Sequence, residues 1–218
     1  MIKKFLILFF ILCTIHTVSE SQITWSASLG GGFAHVNDYF RDNLHYNFQG
    51  SYFIEGGIMI GSSFRKEGIM SWQTGVSLHS GGIKFTPVDD SNVDPDEGIN
   101  IDNIKWDWEN TTKYKNWSVN IPFSFLFDVF APVGLIFGPH ITYTIDSGMD
   151  DFHGTKYKKW TPGGHLGLYA PIGKRFKVIG QMRSDVPSRL TDDEKPFSVK
   201  LSYRELAYFL QLNYQLKP

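Results

Sequence analysis

The sequence predicts an all-β fold: an eight-stranded antiparallel up-and-down transmembrane β-barrel with long external loops and short periplasmic turns. Three observations predict it. Apolar residues recur with a period of two over eight long segments, the connections between them alternate between long and short, and aromatic residues mark the segment ends.

Residues 1–21, MIKKFLILFFILCTIHTVSES, are expected to be a signal peptide removed on export, leaving 22–218 as the barrel domain. Lys3 and Lys4 precede an apolar run from Phe5 to Leu12, and Ser19 and Ser21 have the spacing of a cleavage site. That run is too short to cross a membrane as a helix, which takes about 20 apolar residues. Cys13 is the sole cysteine and falls in this segment, so the domain would hold no disulfide and no thiolate metal site. Leu12 stands where a lipidation signal needs a small residue. Formal net charge is −1 and no basic cluster accompanies a nucleic-acid motif, so nucleic-acid binding has no support. No later apolar run has the length of a membrane helix, and entry into a bilayer would require a closed barrel.

The eight segments are 24–36, 52–64, 70–85, 117–129, 132–146, 161–173, 174–186 and 203–216. All exceed the roughly 5–6 residues usual for strands in globular proteins. All would hold the about 9–11 residues that a tilted strand places in a bilayer. The first opens at Trp25 and the third at Trp72, the predicted periplasmic edge, where Tyr214 of the last also falls. Trp117 and Trp160 open segments at the external edge, completing two aromatic girdles. In WSVNIPFSFLFDV (117–129) the odd positions are wholly apolar and are assigned to lipid. Pro122 points inward by parity, so its missing N–H must fall at a bulge or an unpaired ladder position. The last segment is the most regular, with Leu206, Tyr208, Leu210, Leu212, Tyr214 and Leu216 on one face.

Between the segments, 37–51, 86–116, 147–160 and 187–202 are long, whereas 65–69, Ala131 and the turn at Gly173 and Lys174 are short. An even strand number then puts both termini on the periplasmic side.

The second face is built from Gly, Ser, Thr, Asn and Gln with isolated charges, and it lacks the Lys and Glu density of a solvated surface. It is read as a crowded polar lumen, with Gly30, Gly32, Gly134, Gly138 and Gly167 keeping a narrow barrel free of bulk. Eight strands leave space for side chains or one small ligand, so no open pore is expected. Glu55, Asp128, Arg183 and Glu205 are the candidate lumen network, since charges there need partners. His140 and His165 fall near one level on neighbouring strands, but two imidazoles without a third ligand make a poor metal site.

The connection 86–116 stands out. Its first half concentrates Asp89, Asp90, Asp94, Asp96 and Glu97, but an EF-hand register fails because Pro95 replaces the required Gly and Ile101 the bidentate Glu. Its second half is expected to extend the wall beyond the bilayer as a hairpin carrying Trp106 and Trp108 on one face. Trp106, Trp108, Asp94 and Asp96 are the candidate loop contacts. MDDFHG offers Asp150, Asp151 and His153 in another external loop, the ingredients of a hydrolase without a positioned nucleophile. Gly30-Gly31-Gly32 is no phosphate loop, because neither Gly-Lys-Ser/Thr nor a helix follows. No catalytic residue, metal or cofactor is assigned.

The signal segment followed by Gln22, the first strand ASLGGGF, NIPFSFLFDV turning tightly into GLIFGPHITY, and the closing AYFLQLNYQL together resemble the PorT-like outer-membrane β-barrel proteins of Bacteroidetes. The resemblance spans about residues 22–218. It implies an integral outer-membrane protein without cofactor, in a family whose founding member is associated with gliding and type IX secretion.

The expected function is non-enzymatic. External loops, chiefly 86–116, would bind a partner or surface ligand, and the resemblance implies a link to secretion or envelope integrity. Expected partners are outer-membrane lipid and another envelope or secretion protein, with the barrel itself a monomer. Two alternatives stand beside this: an outer-membrane lipid- or peptide-hydrolysing enzyme using His153 with Asp150 or Asp151, and a soluble periplasmic lipocalin-like ligand-binding barrel.

Overall fold

The computed structural model describes residues 23–37, 46–64, 69–87, 107–130, 132–146, 158–186 and 204–217. The strands are β1 (Thr24–Asn37), β2 (Tyr46–Gln49), β3 (Ser51–Ser63), β4 (Met70–Pro87), β5 (Thr112–Phe130), β6 (Val133–Asp146), β7 (Trp160–Ile172), β8 (Phe176–Asp185) and β9 (Arg204–Lys217). β2 and β3 both pair with β4, on either side of Gly50, and form one stave of the wall. The resulting eight staves run antiparallel, each beside its neighbour in sequence, and β1 pairs with β9 to close the barrel. Closure leaves no strand edge to be covered.

The wall differs from the sequence expectation at two places: β2 (Tyr46–Gln49) falls inside the expected 37–51 connection, and β5 starts early. β5 begins at Thr112 rather than Trp117, and residues 112–116 pair with 81–85 of β4. TKYKN alternates in period two but carries no apolar face, so only the ladder identifies it as strand. The part of the expected hairpin that is described is therefore a continuation of the wall, entered through a 3-10 turn, Trp108–Asn110, capped by Asp107. Residues 1–22, and with them the expected signal peptide, lie outside the described residues.

Pro122 sits where β4 and β5 lose their pairing without changing register, between Thr74↔Phe123 and Ser77↔Asn120. No ladder N–H is demanded there, and Thr74 Oγ1 donates to the Pro122 carbonyl at 2.8 Å. The tight turn after β7 depends on Gly173, whose φ of 67° is open to few other residues.

Side-chain parity settles which medium each face meets. Leu29, Ile58, Leu168 and Leu210 are 64%, 55%, 57% and 66% exposed, and they belong to a continuous apolar belt around the outside. A soluble barrel of lipocalin type would place these residues inside; here hydrocarbon must cover them. Phe33 stacks edge-on with Tyr52, and Tyr143 lies 4.6 Å from Trp160, at the end bearing the long connections. Trp72 with Phe123 and Phe176 with Tyr214 mark the end bearing the short turns. The chain is a β-barrel of the cell outer membrane.

The lumen is packed in layers. Leu126, Ile136, Tyr169 and Ile179 form an apolar layer toward the short turns, and Ala34, Phe53, Ala207 and Phe209 form another toward the long loops. These layers interrupt the expected crowded polar lumen, their members breaking the polar runs one residue at a time. The inward glycines make room for them: a Cβ on Gly32 would collide with Phe209 Cβ and the Tyr208 carbonyl. Gly32→Leu is expected to cost about 1–3 kcal/mol of overpacking. In contrast, outward Gly56, where a Cβ would meet only ordinary contacts from 3.6 Å, should accept Ala with little change in the melting temperature of the folded, unboiled gel band.

Candidate functional site in the barrel lumen

Between the two apolar layers lies a polar one, centred on Glu55 of β3. Arg183 Nη1 of β8 donates to Glu55 Oε2 at 2.7 Å. The other oxygen, Oε1, accepts from Ser77 Oγ at 2.6 Å and from Asn120 Nδ2 at 3.3 Å. His79 Nδ1 stands 3.3 Å from Arg183 Nη2 and 3.5 Å from Glu55 Oε2. The guanidinium also faces two rings, Phe209 at 5.1 Å and Phe53 at 5.9 Å. Five strands converge on this one ion pair, and every polar partner is buried.

A second cluster lies beside it. Ser124 Oγ is 2.8 Å from His165 Nε2, and the His165 ring lies 6.2 Å from that of His140. His140 Nε2 is 3.8 Å from Asp185 Oδ1, while Asp185 Oδ2 accepts from the Glu205 backbone N–H at 3.1 Å. Near the short turns the Tyr169 hydroxyl donates to Asp128 Oδ1, with Lys177 Nζ 4.7 Å above the same ring.

Of the four network residues named from sequence, Glu55 and Arg183 are thus in contact. Asp128 belongs to the lower pairing with Tyr169, and Glu205 to the upper cluster through its backbone. Ser77, His79 and Asn120 were not anticipated as partners of Glu55. Their inward parity was legible, but not their level, because level follows from register between strands 22 to 65 residues apart. Asp94, Asp96 and Trp106 lie outside the described residues, as do Asp150, Asp151 and His153. Trp108 lies in the 3-10 turn.

Chemically, the arrangement is a plug. The void next to Glu55, Asn120, Ser124, His165 and Arg183 measures about 10 Å³, space for one water at most. Ser124 and His165 have the contact of a nucleophile with its base, but no acyl substrate could reach them. Among the described residues no group of three or more His, Cys, Asp or Glu is placed to hold a metal ion.

The fold and the lumen closed at its centre define a small outer-membrane β-barrel. No protein-family model and no curated protein matches the chain. Among solved structures it is similar to Neisserial surface protein A at 11% identity, covering 89% of this chain and 99% of that one with a TM-score of 0.48. The outer membrane protein OprG from Pseudomonas aeruginosa is 11% identical over 88% and 96%, with a TM-score of 0.42. AlkL, determined in lipid bilayers, is 14% identical over 92% and 93%, with a TM-score of 0.45.

Proposed function

We propose that the chain is a non-enzymatic outer-membrane barrel whose external loops, chiefly 86–116, bind a partner or surface ligand. The closure of the lumen at its centre is the observation that carries this reading. A barrel whose centre is closed by the Glu55–Arg183 layer has its surfaces left for function. The flanks of the loop support the choice. β4 and β5 are the longest strands, 18 and 19 residues, and they raise the loop's roots above the Trp117 girdle as a rigid pedestal. Sites on such supports are well positioned for recognition. A role in secretion or envelope integrity follows from the resemblance to PorT-like proteins, and kinship with that family is part of the proposal. So is the absence of catalysis.

Because 107–116 belongs to the supporting structure, a test must spare it. Replacing 90–105 by a short Gly-Ser linker is expected to leave a heat-modifiable barrel. With a photo-crosslinking residue at position 108, intact cells should give a discrete adduct that the replacement abolishes. The same probe at lipid-facing Leu166 should give none. A folded barrel with identical adducts from both positions would remove the loop from the account.

A further inference from the structure

On the outward face of β4 and β5, three lysines gather where the wall rises above its girdle. Lys84 and Lys113 are directly opposite each other across the ladder, and Lys115 shares their face two residues on. Like charges in register across a sheet repel. Among the described residues no carboxylate lies within ion-pair distance of any of the three. Trp117, on the same face of β5, marks the interface. Lys115 and Lys113 stand two and four residues beyond it, about 7 and 13 Å along the strand, the level of headgroup phosphates.

Below the lysines the wall is grooved. The ladder of β4 lapses between its pairing with β2 at Gln49↔Lys84 and with β3 at Ile54↔Ser80. A cavity of about 420 Å³ opens there, flanked by Tyr52, Ile54 and Trp117 and rimmed by Lys84, Lys113 and Lys115. Gly82 lines it where β4 and β5 approach closely, since a Cβ there would meet the Tyr114 carbonyl at 2.6 Å. Ser51 Oγ spans the gap, donating to the Gly82 carbonyl at 2.6 Å.

We infer that this groove binds a lipid of the outer leaflet whose phosphate groups give it a net negative charge. Its acyl portion lies against Tyr52, Ile54 and Trp117, and its phosphate is held by Lys84, Lys113 and Lys115. A soluble anion would gain nothing from the apolar half, and a neutral lipid would bring no countercharge to the three lysines. The site is on the wall, so it stands apart from whatever the 90–105 loop binds.

The full-length barrel in phosphatidylcholine vesicles, titrated with diphosphorylated lipid A, provides the test. Each Lys→Gln substitution is expected to weaken binding about fivefold, and K84Q/K113Q/K115Q about a hundredfold, from the attraction of a surface lysine to anionic lipid. Dephosphorylated lipid A should bind the unaltered barrel as weakly as the triple variant binds the phosphorylated form. Inorganic phosphate should not compete. The 90–105 replacement should bind as the parent does, which separates this site from the loop. A second readout guards against a folding defect. Lys113→Gln should raise the melting temperature in phosphatidylcholine alone, by relieving repulsion, and lower it once lipid A is present. Equal affinity of the triple variant and the parent, equal affinity for the dephosphorylated lipid, or full displacement by inorganic phosphate would each overturn the assignment.

Discussion

Replacing Arg183 by methionine is expected to destabilise the barrel by about 3–5 kcal/mol, the cost of leaving a buried carboxylate without its cation. Glu55 is 5% exposed. Ser77 and Asn120 would still donate to Oε1, but Oε2 would lose its guanidinium. Urea titration of the folded, unboiled gel band reads the effect. Adding Glu55→Met to Arg183→Met should recover most of the loss, because well-packed apolar side chains can replace a buried ion pair at little cost. Phe53 and Phe209 already supply apolar walls for them. A single variant within 1 kcal/mol of the parent, an about fivefold change in equilibrium constant, would mean that water reaches Glu55 and that the lumen is not sealed.

Leu166→Arg tests the opposite face. Leu166 lies midway along β7 between Trp160 and Ile172, is 49% exposed and points away from the lumen. On a water-facing surface such a substitution is nearly neutral. At the midplane of a bilayer it is expected to cost about 2–4 kcal/mol. Tyr52→Arg, beside the upper girdle, should cost only about 0–1 kcal/mol by the same depth dependence. Refolding into vesicles across a urea series measures both. Equal effects at the two positions would contradict a wall graded by depth.

Much of the wall was legible because its signal is local. The outward positions of β9 from Leu206 to Leu216 are apolar without interruption, and any such face must be buried or lie in lipid. The lengths of 65–69 and 86–116 announced which end was which. Less was legible where one residue departed from its run. Phe209 stands among polar inward positions of β9, and Ile179 and Leu126 are inward on strands whose neighbours looked amphipathic. A single apolar residue on the polar face has no meaning until its level in the barrel is known, and three strands must be in register before Phe53, Phe209 and Arg183 meet. The start of β5 was missed for a related reason, since TKYKN has no apolar face and its strand state depends on 81–85 beside it.

The sequence by itself determined how many staves the wall has and which residues of each share a face, because period two and segment length are properties of consecutive residues. That the apolar face turns outward, to lipid, was decided by the closed barrel. Only the tertiary structure decided that Glu55 pairs with Arg183 while Asp128 turns to Tyr169, and that Lys84 and Lys113 stand opposed. These pairings depend on the stagger between strands, and in a closed barrel that stagger is a property of the whole ring.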